Sequence, residues 1–108
     1  MRGTCLRFYV QEGRTHHHLL IYEWLLELAK KLGIHGGSAF KAMAGFGRHG
    51  MLHEDHFYEL AGKLPVCVEF ILADDEAERL ITAVQAEEVS VFYARLPVEY
   101  GVICGSKD

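Results

Sequence analysis

Between Thr4 and Glu12 the chain alternates, with Thr4, Leu6, Phe8 and Val10 on one side and Cys5, Arg7, Tyr9 and Gln11 on the other. A period of two predicts a strand with one greasy face. Gly13 to His18 is a polar break, after which Ile21, Trp24, Leu25, Leu28 and Leu32 recur three and four positions apart and Glu23, Glu27, Lys30 and Lys31 take the opposite side. This predicts an amphipathic helix from about His18 to Leu32, with lysines favouring its negative end and Gly33 as a left-handed stop. From Gly37 to Ala44 the spacing returns to two, Ser38, Phe40, Ala42 and Ala44 against Ala39, Lys41 and Met43, which reads as a second strand. Phe57 to Lys63 has weak helical spacing, one or two turns. Pro65 opens a third strand, Val66 to Ala73, where its missing N–H does no harm. Asp74 and Asp75 begin a second helix, in which Asp75 and Glu78 stand at capping-box spacing and whose stripe is Ala77, Leu80, Ile81 and Val84, ending near Glu87. The last predicted strand, Val89 to Leu96, stops at Pro97.

The order βαββαβ over residues 1–108 predicts one α+β domain, a ferredoxin-like sandwich with two helices on one face of a four-stranded antiparallel sheet. The uncovered face is expected to carry Tyr9, Cys67, Ile71, Val91 and Tyr93 beside Arg7, Glu69 and Arg95. That is too apolar to leave in water, and self-association is the economical answer. Composition narrows the function. With 11 basic and 15 acidic residues the formal charge is -4, which argues against general nucleic-acid binding. Three cysteines, Cys5, Cys67 and Cys104, follow no CxxC or zinc-ribbon spacing and read as reduced thiols. No apolar leader or bilayer-length run is evident, so a soluble cytoplasmic protein is expected.

Chemistry concentrates between the second and third strands, in Ala44-Gly45-Phe46-Gly47-Arg48-His49-Gly50-Met51-Leu52-His53-Glu54-Asp55-His56. A hairpin connection needs two to five residues, so a longer one with this much polar chemistry is a candidate working loop. The glycines can leave backbone N–H groups unobstructed, and Lys41 and Arg48 are close in sequence. Lys41, Gly45, Phe46, Gly47, Arg48, His49, Gly50 and His53 are therefore the candidate site for a small phosphate- or carboxylate-bearing anion. The spacing is neither a Walker A nor a dinucleotide-binding fingerprint. His49, His53 and His56, at intervals of four and three, form an alternative metal set, and His16, His17 and His18 are a second histidine group. Cys5 and Cys67 fall in strands, which leaves Cys104 as the candidate reactive thiol. The acid pairs Asp74-Asp75 and Glu87-Glu88 coincide with helix ends, where capping and solvation suffice. Nothing here composes a catalytic constellation, and the chain is not read as an enzyme.

The run Gly33-Ile34-His35-Gly36-Gly37-Ser38-Ala39-Phe40-Lys41-Ala42-Met43-Ala44-Gly45-Phe46-Gly47-Arg48-His49-Gly50, then His53, then Leu64-Pro65-Val66, closely resembles the DUF190 (UPF0166) family of small bacterial proteins, over about Leu6 to Tyr100. That family looks like a branch of the PII-like group, which includes the nitrogen regulator PII and CutA. The resemblance implies a PII-like homotrimer, a signalling loop between the second and third strands, and a small ligand, often an adenine nucleotide, in clefts between subunits. One departure stands out: the glycine-rich phosphate-gripping loop of PII has no counterpart in Gln85-Ala86-Glu87-Glu88-Val89. The leading expectation is a regulatory protein that binds an adenine nucleotide and signals through residues 45–56, with a membrane transporter or an enzyme as regulated target. The alternatives are a CutA-like oligomeric metal-binding protein using His49, His53 and His56, and a ligand-free interaction module.

Overall fold

A computed structural model of the chain describes residues 1–45 and 64–106. Its centre is β1 (Arg2–Gln11), which pairs antiparallel with β5 (Pro65–Leu72) on one side and β6 (Phe92–Glu99) on the other. β4 (Ser38–Lys41) adds to the free edge of β5, giving the sheet order β4-β5-β1-β6. The register puts Leu6 opposite Phe70 and Phe8 opposite Val68, so the apolar sides of both alternating runs share one face. Against it lie α1 (Ile21–Lys31) and α2 (Asp74–Ala86), whose buried residues Ile21, Trp24, Leu25, Ala77, Leu80 and Val84 join the strand residues in one core. The ferredoxin-like arrangement expected from the order of elements is the observed one. No described helix is long and apolar enough to cross a membrane.

The helix ends follow from identifiable residues. At the end of α1, Gly33 has φ +85°, its N–H reaches Lys30 O at 3.0 Å, and Ile34 N–H reaches Ala29 O at 3.0 Å. This Schellman pattern also folds the Ile34 side chain into the core. α2 begins at Asp74, as expected, but its cap lies two residues before Asp75. Ala73 is its N-cap, and Glu76, rather than Glu78, reaches back to accept the Ala73 N–H at 3.0 Å, half of a capping box. Asp74 is thereby free to accept a hydrogen bond from the buried Thr4 hydroxyl at 2.6 Å, which ties the start of α2 to β1.

Three features differ from what the sequence predicts. The polar break before α1 is not featureless: β2 (Thr15–His16) and β3 (Leu19–Leu20) form a small ribbon, and the helix begins only at Ile21. Its turn residues His17 and His18 have φ +52° and +68°, the double left-handed geometry of a two-residue hairpin. The last strand runs through Pro97 to Glu99 rather than stopping before it. Among the described residues β6 is an edge strand, bonded only to β1, so a proline can sit within it. Its faces are also the reverse of the expected ones. Tyr93 stands opposite Phe8 on the helix side, with ring centroids 6.2 Å apart, and Arg95 Nη1 meets Glu78 Oε2 of α2 at 2.6 Å. The open face is completed instead by Phe92, Ala94 and Leu96, opposite Tyr9, Arg7 and Cys5.

Candidate functional site

Antiparallel pairing gathers the end of β1, the end of β4, the start of β5 and the start of β6 at one end of the sheet, since Gln11 stands opposite Pro65, Lys41 opposite Val66 and Tyr9 opposite Phe92. Here the chain on either side of residues 46–63 is held together. Ala42 N–H donates to Pro65 O at 2.9 Å, and Glu12 N–H donates to Leu64 O at 3.0 Å. Gly45 packs on the Pro65 ring, where an added Cβ would lie 3.2 Å from Cγ; close approach, rather than a left-handed φ, is what glycine supplies at this position. Lys41 Nζ lies 2.9 Å from Glu12 Oε2. Of the candidate anion-binding residues, Lys41 and Gly45 are therefore placed at the base of this corner. Phe46, Gly47, Arg48, His49, Gly50 and His53 lie outside the described residues, as do the alternative metal set His49, His53 and His56 and the short helix expected at 57–63.

The same end of the fold holds a group that the sequence reading did not assemble. Nε2 of His16 lies 3.2 Å, and Nε2 of His17 2.9 Å, from the same oxygen, Oε1 of Glu87. The two imidazoles are 4.1 Å apart between centroids, and the His16 ring stands edge-on to Trp24 at 4.5 Å. Hydrogen bonds from His17 and then His16 hold the Glu87 carboxyl below its ordinary value. Arg14 Nη1 donates to Ser90 O at 2.6 Å, fastening the segment before the ribbon to the segment after α2. One signal for this group was present in the sequence. An acid at a helix C-terminus opposes the macrodipole, and α2 has no basic residue in its last turn, so the dipole that favours Asp74 and Asp75 in the first turn does not account for Glu87.

On the open face of the sheet, Arg7 Nε and Glu69 Oε2 pair at 2.9 Å, opposite one another across β1 and β5. The Cys5 thiol donates weakly to Glu69 at 3.6 Å, and its pKa is raised, by burial first and by the Glu69 charge second. Burial likewise raises Cys67. Cys104 is exposed.

A family model described as DUF190, uncharacterized ACR, matches residues 3–91. A UPF0166 protein of Aquifex aeolicus (strain VF5) is 29% identical and aligns over 86% of this chain and 96% of its own length. A UPF0166 protein of Methanocaldococcus jannaschii is 27% identical over 75% of this chain and 74% of its own. Among solved structures, CPII of Thiomonas intermedia K12, a nitrogen regulatory PII-like protein bound to ADP, AMP and bicarbonate, superposes with a TM-score of 0.65 at 16% identity, covering 94% of this chain and 91% of that one.

Proposed function

The chain belongs to the DUF190 family and has the fold of the PII-like proteins, and from that premise we propose that it is a PII-like regulatory protein, a homotrimer that binds an adenine nucleotide in the clefts between subunits and signals through residues 45–56. The observation that carries this reading is the likeness, over nearly the whole chain, to a PII-like protein solved with ADP and AMP. The loop base supports it. Residues 42 and 65 are bonded to each other, so the arms of the loop leave the sheet side by side and a change at one is felt at the other. Lys41 supplies a cation at this corner. Its pairing with Glu12 is a surface ion pair, a kind worth about 0–1 kcal/mol, so the ammonium can turn to a phosphate with little loss. Because Gln85 to Val89 offers no glycine-rich grip, phosphate recognition falls to Lys41, Arg48 and the glycines of the loop. Signalling would then consist of the loop reporting occupancy of the cleft to a membrane transporter or an enzyme.

Calorimetry with ATP, ADP, AMP and GTP, each with and without magnesium, tests the reading. At least one adenine nucleotide is expected to bind more tightly than GTP, and Lys41→Ala and Arg48→Ala are each expected to weaken it about tenfold, or about 1.4 kcal/mol. Failure of every nucleotide to bind at millimolar concentration would remove this function.

A further inference from the structure

We propose that His16, His17 and Glu87 form a binding site for a borderline divalent transition ion of the zinc class. The three residues come from two segments 70 positions apart, the β2–β3 ribbon and the C-cap of α2, and their ligand atoms lie within 4.8 Å of one another. Two imidazole nitrogens and one carboxylate oxygen are a donor set that suits Zn²⁺, Ni²⁺ and Cu²⁺, whereas Mg²⁺ and Ca²⁺ prefer oxygen alone. The spacing is close to what such an ion needs. Around a tetrahedral centre with bonds of about 2.0–2.2 Å, neighbouring ligand atoms stand about 3.3 Å apart, and the observed N···O separations are 2.9 and 3.2 Å. The Glu87 oxygen is already shared by both imidazoles, and the exposed His17 side chain can adjust to close the set around an ion. Three protein ligands leave a fourth position for water or for an atom of a bound molecule.

The surroundings hold these groups in place. His17 and His18 occupy left-handed backbone that asparagine and glycine fill at lower cost, and this turn brings the His16 and His17 rings to the same carboxylate oxygen. The Arg14 bond to Ser90 fixes the ribbon against the end of α2, and the Trp24 ring gives the His16 imidazole an apolar neighbour. This site does not depend on the nucleotide reading and uses none of its residues.

Trp24 is the chain's one tryptophan and lies beside the site, so it reports on it. Chelator-stripped full-length protein titrated with Cu²⁺ should lose Trp24 fluorescence with a stoichiometry of one ion per chain. Zn²⁺ and Ni²⁺ should compete and Mg²⁺ should not. His17→Asn, which keeps a residue tolerant of left-handed backbone, and Glu87→Gln should each weaken binding about 100-fold. His18→Asn, in the same histidine run but outside the cluster, should leave it unchanged. Absence of stoichiometric binding overturns the proposal. So does binding that survives both His17→Asn and Glu87→Gln, or that falls equally with His18→Asn, which would mean unspecific chelation by the histidine run.

Discussion

Single side chains on the open face of the sheet show how environment divides three chemically identical thiols. Cys5 is 5% exposed, and both desolvation and the neighbouring Glu69 carboxylate oppose its ionisation; Cys67 is raised chiefly by desolvation. A thiol whose pKa is raised holds less thiolate at any given pH, and the thiolate is the reacting form. Labelling with a disulfide reagent near pH 8 should therefore show one fast thiol per chain, removed by Cys104→Ser, and two slow ones that become fast only on denaturation. Two fast thiols in the Cys104→Ser variant would show that the sheet does not protect them. The cysteine assignments were legible in the sequence because Cys5 and Cys67 fall within apolar strands of the sheet and Cys104 falls in the tail beyond it. The His16–His17–Glu87 group was not, since its partners are 70 positions apart and only the pairing of the strands brings them together.

Among the elements, those with one strongly apolar side were legible and those without one were not. In β1 and β5 the contrast between faces is large, so alternation settled both the strand and the direction in which it points. In β6 the sets Phe92, Ala94, Leu96 and Val91, Tyr93, Arg95 are nearly equal in polarity. Alternation told which residues travel together but not which set faces the helices, and a parity error moves every side chain to the other face. The Tyr93 ring beside Phe8 and the Arg95 pair with Glu78 decide it. Val89 and Val91, read as part of the strand, pack instead against the edge of the core before the strand begins. The end of α1 was readable from a single glycine, and it permits a clean test. Gly33 has φ +85° and open space where a Cβ would go, so Gly33→Ala carries a backbone penalty with no steric one. Chemical denaturation should show a loss of about 1–2 kcal/mol, with Gly33→Asn losing less. An unchanged midpoint for Gly33→Ala would mean that the helix can end without the left-handed turn.

For the molecule as a whole, the open face of the sheet is the feature on which the nucleotide reading depends. Phe40 and Ile71 are 54% and 52% exposed there, Phe92 45% and Leu96 39%, with Tyr9 beside them. Burying such side chains contributes about 1.5–3 kcal/mol apiece, ample to drive association once the entropy of assembly is met. The charges on this face do not stand in the way. Arg7 and Glu69 are already paired within one chain, so they can enter an interface together, whereas Arg95, expected at its margin, is engaged with α2 on the other side of the sheet. Light scattering should give three chain masses at micromolar concentration. Ile71→Asp and Phe92→Asp should each dissociate the assembly, because each forces an unpaired carboxylate into the contact, while Glu78→Ala on the helix side should leave the mass unaltered. Dissociation has a second consequence that ties the scales together. A nucleotide held between subunits must be lost with the trimer, so Ile71→Asp, although it lies on the open face and outside the loop, should abolish the calorimetric signal. A monomeric variant that still binds ADP would place the ligand within one chain and overturn the intersubunit cleft.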